Sequence, residues 1–411
     1  MKTFIGFTEA LELTLANVSA GGVEDLPLLA AAGRILTEDV SATVDSPSVS
    51  TSRKDGYAVR PEDLEAASPA TPVRLKLVGS LSAGEMRPVR IHTGEAVRVT
   101  TGALIPEGNI SVISEEFCRL EGETLVCLNT AGHGRNILHH GTDVRGGDIV
   151  AASGAALSPP LLGLIAAAGH GTVRVHQVPR AAVIATGDEV VAPGEPLPEG
   201  KLYASNMVEI CSWLSLHAIP FETAVIGDRR EDIRAAIQGR LDRADVFITS
   251  GGAWGSEKDL ILQVAADLGW QGSYHRVRMG PGKPVGFGLL HGRPFFVLPG
   301  GPPSNEMAFL QLALPALMKM KGAGPNVFPM APARLADTVT GEHGWTEFIH
   351  ARLEKKGGEL WVSPARLESR LKSMAEKEAL IIIPEDRDEI PAGETTQVQL
   401  LGPPPGEEGR L

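Results

Sequence analysis

The amino-acid sequence predicts a multidomain α/β protein with a doubly wound parallel sheet at its centre. Strand and helix patterns alternate over residues 178–322, which is typical of a parallel sheet that carries helices on both faces. Short strand patterns separated by glycine and proline fill residues 49–143 and return over residues 323–401. The chain has 411 residues, more than one ordinary core holds, so we expect these segments to form separate domains.

Two periodicities predict the central segment. The runs AAVIAT (181–186), DVFITS (245–250) and FFVL (295–298) are largely apolar, as expected for strands buried on both faces. Apolar residues that recur every three or four positions predict four helices, over residues 206–218, 230–241, 259–269 and 304–320.

The flanking segments complete the expected organisation. The first 18 residues predict an amphipathic helix, because Leu11, Leu15 and Val18 recur at helical spacing, and the acidic residues between them do not fit a signal peptide. The expected domains are an N-terminal helix that packs on the central domains (1–26), a linking domain (27–48 with 144–177), a β-rich arm (49–143), an α/β domain (178–322), a C-terminal β domain (323–401) and a disordered tail (402–411).

Composition and charge exclude several classes of function. The net charge is −12 and aromatic residues make up 5% of the chain, which argues against nucleic-acid binding. No apolar run approaches the roughly 18–20 residues that span a membrane. The three cysteines, Cys118, Cys127 and Cys211, do not have the spacing of metal ligands. We therefore expect a soluble, cytoplasmic protein that binds small molecules.

Three loops at the predicted strand ends are the expected ligand site. GDEV, GGAWGSEKD and PGGPPSNE each follow a buried strand, and ligands of open parallel sheets bind outside the carboxyl ends of the strands. Their backbone amides can receive an anion, although glycine in such loops also has purely steric uses. No loop has the spacing of a dinucleotide or Walker motif, so an ordinary NAD or P-loop nucleotide site is not indicated.

Carboxylates recur after the predicted strands. Glu189 follows AAVIAT, Asp228 ends the further strand pattern FETAVIGD (221–228), and Asp259 ends the loop after DVFITS. Mg²⁺ prefers oxygen ligands of this kind, usually together with substrate phosphates. The alternative interpretation of Asp228 and Asp259 is that they cap helices or lie in a first helical turn.

The most basic local stretch is SYHRVRMGPGKPVGFG (273–288). Arg276 and Arg278 have the spacing of a strand and can share one face. Lys283 lies in a stiff PGKP turn, which suits a lysine that binds a phosphate or another oxyanion. The alternative is an ordinary solvated lysine.

Seven motifs in order resemble those of the MoeA family, the molybdopterin molybdenumtransferases, which are also seen as the E domain of gephyrin. They are KDGYAVR (54–60), RVTTGALIPEG (98–108), HGTDVRGGDIV (140–150), ATGDEV (185–190), SGGAWGSEKD (250–259), PGKP (281–284) and LPGGPPS (298–304). The resemblance covers about residues 5–400.

This resemblance implies a homodimer of elongated subunits, each with a molybdopterin-binding α/β domain, a β-rich arm and a C-terminal β domain. The implied reaction takes adenylylated molybdopterin and molybdate, inserts molybdenum at the dithiolene sulfurs and releases AMP, with Mg²⁺ as the metal. The active cleft would lie between the α/β domain of one subunit and the arm of the other. A contact with the molybdopterin adenylyltransferase is also compatible with the family.

The matching positions imply the site residues. The implied catalytic residues are Asp55, Thr101 and Asp143 on the arm and Glu189, Asp228, Asp259 and Lys283 on the α/β domain. Glu189, Asp228 and Asp259 would hold Mg²⁺. The implied substrate-binding residues are Thr186, Gly187, Ser250, Gly251, Gly252, Pro281, Gly282, Lys283, Pro299, Gly300 and Ser304. As alternatives, Asp55 can cap a turn, Thr101 can end a strand and Asp143 can close an Asx-turn.

The chain departs from the family pattern at three basic or polar positions. Gly280 replaces a lysine, Gly301 an asparagine and Trp345 an arginine. The lost groups lie where an anionic substrate would be held. The alternative function is therefore a non-catalytic or specialised paralogue that binds molybdopterin or the finished cofactor.

Overall fold

The computed structural model describes residues 1–253, 260–365 and 369–402, which fold as two compact units. Unit 1 contains Met1–Glu24 and the chain from His176 onwards, and unit 2 contains Asp25–Val175. Asp259 and most of the predicted tail lie outside the described residues. Within the described ranges, no helix has the length and apolarity that crossing a membrane requires.

The chain begins with strand β1 (Lys2–Gly6), followed by helix α1 (Phe7–Ala16). The prediction of a helix over the first 18 residues is therefore wrong for residues 2–6, which form a strand. Residues 2–6 pair in parallel with residues 274–278, and these backbone hydrogen bonds hold them extended. In α1 the fully buried residues are Ala10 and Thr14, and the Thr14 hydroxyl lies 2.7 Å from the Tyr274 hydroxyl.

Unit 2 is mostly β structure. Two strands cross its boundaries with unit 1, β2 (Val23–Pro27) and β13 (Thr172–His176). Between them lie β3 (Val40–Ser41), β4 (Thr51–Ser52), β5 (Gly56–Val59), β6 (Val73–Leu81), β7 (Glu95–Val99), β8 (Ser111–Ser114), β9 (Cys118–Glu121), β10 (Thr124–Cys127), β11 (Ile137–Leu138), β12 (Ile149–Ala151) and α2 (Pro159–Ala167).

Six of these strands form one sheet in the order β8-β5-β7-β6-β10-β9. Only β6 and β7 pair in parallel, and the other neighbours are antiparallel. One side of this sheet buries Tyr57, Leu75 and Leu125 in a common core, and the other buries Ala58, Leu81 and Val112. The β-rich architecture predicted for this part of the chain is confirmed.

The α/β part of unit 1 alternates strands and helices. Its elements are β14 (Ala181–Thr186), β15 (Val190–Val191), β16 (Leu202–Tyr203), α3 (Ser205–Leu216), β17 (Phe221–Ile226), α4 (Arg230–Gln238), β18 (Val246–Ser250), α5 (Leu260–Asp267), β19 (Trp270–Gly280), β20 (Gly286–Leu290), β21 (Arg293–Leu298), α6 (Pro302–Ala308), a π-helical turn (Phe309–Ala313) and α7 (Leu314–Met320).

Four neighbouring strands, β17-β14-β18-β21, are parallel, so the predicted α/β class is confirmed. The sheet is mixed beyond them, because β20 runs antiparallel to both β21 and β19. The reason lies in the connections. Residues 281–285 and 291–292 are too short for the crossover of a dozen or more residues that a parallel neighbour requires.

Helices cover both faces of this sheet. Ile233 and Ile237 of α4 and Ile261 and Val264 of α5 are buried on one face, as their spacing predicts. Helices α1, α3, α6 and α7 bury their apolar residues on the other. Leu241, predicted to extend α4, is only partly buried because the helix ends at Gln238.

The predicted C-terminal β domain is confirmed as a closed barrel. Its elements are β22 (Met330–Leu335), β23 (Val339–Thr340), β24 (Thr346–Lys356), β25 (Glu359–Pro364), α8 (Arg370–Glu376), β26 (Ala379–Ile383), β27 (Glu389–Ile390) and β28 (Thr395–Leu400). The strands pair in the ring β24-β25-β22-β28-β26, and β26 pairs back with β24. Closure removes the free edges that a small open sheet would expose. Strand β24 also pairs with β19, which joins the barrel to the α/β sheet.

A buried charged network holds the barrel against the α/β helices. The Glu306 side chain of α6 is fully buried and contacts the Lys377 ammonium, while its Oε2 lies 3.1 Å from His350 Nε2. Burial raises the pKa of Glu306, but hydrogen bonds from His350 and Glu209 and the charge of Lys377 lower it overall. Burial and the hydrogen bond to Glu306 raise the pKa of Glu209 to about 9. Glu209 is therefore a protonated donor at neutral pH.

We expect Glu209→Gln to flatten the pH dependence of stability. The glutamate keeps its proton to about pH 9 in the folded protein but loses it near the ordinary glutamate pKa of 4.5 when unfolded. Unfolding therefore releases a proton between these values, and the free energy of unfolding falls as pH rises through that window. Glutamine keeps a donor but removes the titration. Denaturant unfolding at about pH 5, 7 and 9 measures the slope.

The exposed Glu231→Gln of α4 is the matched control and should keep the wild-type slope. Equal slopes for Glu209→Gln and wild type would contradict the protonated state of the partly buried Glu209.

Candidate functional site at the carboxyl ends of the parallel strands

The loops after β14, β18 and β21 meet at the carboxyl edge of the sheet. Gly251 is the point of closest approach: a Cβ there would lie 2.6 Å from the Thr186 carbonyl oxygen, and its φ of +110° also favours glycine. A Cβ on Gly300 would lie 3.9 Å from the Cα of Gly251. The Gly251 amide donates to the Leu298 carbonyl oxygen at 3.0 Å. The structure thus brings three of the predicted ligand loops together.

Two asparagine amides, which the sequence did not single out, connect these loops. Asn305 Nδ2 of α6 donates to Ser250 Oγ at 3.1 Å and to the Pro299 carbonyl oxygen at 2.7 Å. Asn206 Nδ2 of α3 donates to Ser250 Oγ at 3.2 Å and to the Gly300 carbonyl oxygen at 2.9 Å. Asn305 is only 1% exposed. Asn305 lies in the predicted ligand loop PGGPPSNE and Asn206 in no motif, but only the folded geometry reveals what their amides bind.

The loops after β14 and β17 are joined by polar contacts. Thr186 Oγ1 donates to Asp228 Oδ1 at 2.6 Å, and the Asp228 amide donates to Asp188 Oδ1 at 2.9 Å. The N-cap of α4 is Arg229, so Asp228 is not the helix cap. The Glu189 carboxylate lies over Gly187, where a Cβ would come within 2.7 Å of it. Thr186, Asp228 and Glu189 are therefore grouped at one end of the sheet.

The described residues hold no group of three or more histidine, cysteine, aspartate or glutamate side chains able to bind a metal. The third predicted ligand, Asp259, lies outside the described ranges. Mg²⁺ commonly takes one or two protein carboxylates and completes its shell with water and substrate phosphates. The grouped carboxylates Glu189 and Asp228 fit that mode of binding rather than an all-protein metal cage.

Lys283 lies in a cage of aromatic rings. Its Nζ is 5.2 Å from the centroid of the Phe4 ring and 5.2 Å from that of Trp345, distances typical of cation–π contacts. The two rings meet edge to face at 5.7 Å. Lys283 is half-buried rather than an ordinary solvated lysine. No carboxylate or carbonyl oxygen among the described residues accepts a hydrogen bond from its ammonium.

Neighbouring basic residues differ in their surroundings. Arg278 Nε donates to the Gly344 carbonyl oxygen at 2.9 Å, and a terminal nitrogen donates to the Phe4 carbonyl oxygen at 2.8 Å. Arg276 has a left-handed φ of +66°, which departs from regular strand geometry. His275 is 7% exposed and its Nε2 lies 2.7 Å from the Ala253 carbonyl oxygen. In the predicted basic stretch, the side chains of Arg278 and His275 are thus hydrogen-bonded to backbone carbonyl oxygens.

The structure gives a reason for glycine at position 280. A Cβ on Gly280 would overlap the carboxylate of Glu347 on β24. Burial, followed by the nearby charge of Glu342, raises the pKa of Glu347. Gly280 and Glu347 are directly paired between β19 and β24. A side chain at position 280 would displace Glu347 in this arrangement.

In unit 2 the structure brings Asp55 and Thr101 together. Asp55 Oδ1 accepts hydrogen bonds from the Thr101 amide at 2.6 Å and from the Thr101 hydroxyl at 3.0 Å. The hydrogen bond from the Thr101 amide, followed by that from the Thr101 hydroxyl, lowers the pKa of Asp55, so this carboxylate stays ionised. Asp143 is exposed, and no hydrogen bond or ion pair within the described part of unit 2 joins its side chain to either residue.

Family models match three successive segments of the chain. They are the MoeA N-terminal region, domains I and II (residues 5–169), a probable molybdopterin-binding domain (residues 182–319) and the MoeA C-terminal region, domain IV (residues 332–401). The α/β sheet with its converging loops is thus of the molybdopterin-binding class.

Similar proteins cover nearly the whole chain. A molybdopterin molybdenumtransferase 2 from Mycobacterium tuberculosis is 31% identical over 91% of this chain and 94% of its own length. A molybdopterin molybdenumtransferase from Haemophilus influenzae is 31% identical over 94% of this chain and 98% of its own length. The crystal structure of a molybdopterin biosynthesis MoeA protein from Pyrococcus horikoshii is 30% identical, with a TM-score of 0.80 over 97% of this chain and 100% of that one. The chain belongs to the MoeA family.

We expect Asn305→Ala to loosen the site and destabilise the protein. The change leaves Ser250 Oγ and the buried Pro299 carbonyl oxygen without the Asn305 donor, which costs about 1–3 kcal/mol. Denaturant unfolding measures this cost, and hydrogen exchange reports loss of protection at the Gly251 amide.

The less buried Asn206→Ala is the matched comparison and should cost less. Unchanged stability and unchanged exchange at Gly251 in Asn305→Ala would show that this amide does not hold the loops.

Proposed function

We propose that the protein is a molybdopterin molybdenumtransferase that inserts molybdenum from molybdate into adenylylated molybdopterin and releases AMP. The observation that carries this proposal is the convergence of three strand-end loops in a sheet of the molybdopterin-binding class. The family match extends over the N-terminal, central and C-terminal parts of the chain. Relatives that match most of the chain are named for this activity.

The loops of the α/β sheet bind the pterin and its phosphates in this proposal. Because the Gly251 amide is engaged with Leu298, the amides of Gly252 and Gly300 are the ones offered to the anion. Ser250 is held in place by two asparagines and presents its hydroxyl at the same edge. The remaining proposed contacts are Thr186, Gly187, Pro281, Gly282, Pro299 and Ser304.

Glu189, Asp228 and Asp259 are the proposed protein ligands of Mg²⁺. When bound, the ion would neutralise charge on the phosphates that separate as AMP leaves. The protein's own part is to orient its carboxylates: Thr186 fixes one oxygen of Asp228, and the turn at Gly187 brings Glu189 to the same end of the sheet.

Asp55, Thr101 and Asp143 are proposed to act from the arm of the second subunit of a homodimer. Support comes from the ionised state of Asp55 and from the two hydrogen bonds that orient it. The domain boundaries predicted from sequence, cytoplasmic localisation and contact with the molybdopterin adenylyltransferase belong to the same proposal.

A second candidate function is a paralogue that binds molybdopterin or the finished cofactor without catalysis. The observation in its favour is the local remodelling at two of the three positions where the family pattern differs. Gly280 faces Glu347, and Trp345 packs over Lys283. AMP release separates the two functions, because a binder retains the pterin but releases no AMP.

The purified protein should release AMP from adenylylated molybdopterin when molybdate and Mg²⁺ are present. Asp228→Asn should slow this release by about 10–100-fold and raise the Mg²⁺ concentration needed, because it removes a charge but preserves the shape of the side chain. Exposed Asp242→Asn is the charge-matched control and should retain the wild-type rate. Pterin binding without AMP release by the wild type would refute the enzyme and support the binder.

Lys283→Met should raise the KM for adenylylated molybdopterin by about tenfold or more, because a charge-assisted hydrogen bond contributes about 1.5–3 kcal/mol. The aromatic cage holds the ammonium without using its hydrogen-bond donors, so these remain available to an oxyanion. Steady-state AMP release gives KM and kcat, and the melting temperature reports the loss of the cation–π contacts. A lower melting temperature with an unchanged KM would show that Lys283 stabilises the aromatic cage but does not bind the substrate.

A further inference from the structure

Two of the three cysteines face each other across an edge hairpin of unit 2. Strands β9 and β10 pair antiparallel, and their register places Cys118 directly opposite Cys127. Both are free thiols. The proposed function uses neither residue, and they lie in a different unit from Cys211 on α3.

The register fixes the type of cross-strand pair. The Leu128 amide donates to the Phe117 carbonyl oxygen at 2.9 Å, so these two residues form a hydrogen-bonded pair. Pair types alternate along an antiparallel ladder, which makes the next pair, Cys118 with Cys127, non-hydrogen-bonded. The Cα atoms of such a pair lie about 4.5 Å apart with their side chains on one face. This separation is within the range of about 4.4–6.8 Å that a disulfide spans.

The two thiols differ in access to solvent. Strand β9 is at the edge of the six-stranded sheet, and its Cys118 is partly exposed. Cys127, on the neighbouring strand, is fully buried. A small reagent can therefore reach the Cys118 sulfur from solvent, whereas the Cys127 sulfur is shielded from it.

From this geometry we propose that Cys118 and Cys127 are a reversible dithiol–disulfide site, oxidised by exchange with a low-molecular-weight disulfide such as oxidised glutathione. The Cys118 thiolate attacks one sulfur of the reagent, forms a mixed disulfide and expels one glutathione thiolate. The Cys127 thiolate then attacks the Cys118 sulfur and expels the second. The reagent is reduced to two thiols, the protein loses two hydrogens, and the cysteine protons pass to the departing thiolates.

Access, rather than acidity, sets this order of events. The interaction between the two thiols lowers the pKa of Cys127 and raises the pKa of Cys118, with burial adding to the latter. The charge therefore rests on Cys127, which can take the proton of Cys118 as this more accessible sulfur attacks the reagent. The partly exposed position of Cys118 leaves a disulfide at this site open to attack by a reducing thiol, which makes its formation reversible.

The position of the pair connects it to the proposed active site. Cys127 and Cys118 pack in the same core cluster as Tyr57, which follows Asp55 by two residues on β5. Closing the disulfide draws the β9–β10 hairpin together within this cluster. An effect on turnover is the part of the inference that rests on the proposed function.

The test uses the full-length protein and oxidised glutathione, followed by alkylation in denaturant and mass spectrometry. We expect two of three thiols to be lost, a mass decrease of about 2 Da before alkylation, and a peptide cross-link between Cys118 and Cys127. Cys211 should remain alkylated, and dithiothreitol should restore all three thiols. Three alkylated thiols, or a cross-link involving Cys211, would overturn the proposal.

Single variants check the order of attack. Cys127→Ser should trap glutathione on Cys118, a mass increase of about 305 Da, whereas Cys118→Ser should leave Cys127 unreacted. Cys211→Ser is the control and should form the disulfide like the wild type. A mixed disulfide that persists on Cys118 in the wild type would contradict the role of Cys127.

AMP release, measured in parallel, should fall on oxidation and recover with dithiothreitol in the wild type but stay constant in Cys118→Ser. The mass readout stands without this assay, so absence of AMP release would count against the proposed function and leave the disulfide to be judged on its own.

Discussion

The close approach of three strand-end loops at Gly251 is the constraint on which the site of unit 1 depends. A side chain at this position would collide with the Thr186 carbonyl, and the amide of the same residue is bound to Leu298. Asn305 fixes the arrangement from the first turn of α6, and the next residue, Glu306, contacts Lys377 and His350 of the C-terminal barrel. One turn of helix α6 therefore links the geometry of the loops to the position of the barrel, because the side chains of Asn305 and Glu306 are attached to the same stretch of backbone.

Two of the departures from the family pattern, Gly280 and Trp345, form one packed arrangement. Glycine at position 280 leaves room for Glu347, and Trp345 covers Lys283 together with Phe4 from β1. These groups meet where β19 pairs with both β1 and β24, so the N-terminal strand, the α/β sheet and the barrel all contribute. Loss of the basic side chains is thus accompanied by burial of a carboxyl group and by ring contacts for the remaining lysine. Such coupled changes are better tested together than as separate losses.

Most of the architecture was predictable, because burial of an element on one or both faces determines how its apolar residues are spaced along the sequence. The strands of the parallel core and the helices α3, α4 and α5 follow that rule. Strand β1 did not, because its extended state comes from pairing with residues more than 250 positions away. The antiparallel direction of β20 could not be predicted from its apolar residues, because strand direction depends on the length of the connections. In the site, motifs pointed to Asp55 and Thr101, and the end of a strand pattern pointed to Asp228, but no sequence pattern showed which groups the amides of Asn206 and Asn305 bind.

An acidic chain that binds an anionic substrate needs a local source of positive potential. At the strand ends of unit 1 the described side chains are mostly hydroxyls, amides and carboxylates. The basic groups beside them are engaged, Lys201 with the Asp188 carbonyl oxygen and Arg229 with the Asp232 carboxylate. In the proposed function the attraction must then come from Lys283, from Mg²⁺ and from backbone amides. Amides approach a phosphate most closely where the chain lacks a Cβ, which gives the glycines of these loops a specific use. In the proposed function a net charge of −12 is therefore compatible with an anion site, because the attraction is built from backbone dipoles, Mg²⁺ and one ammonium rather than from an excess of basic residues.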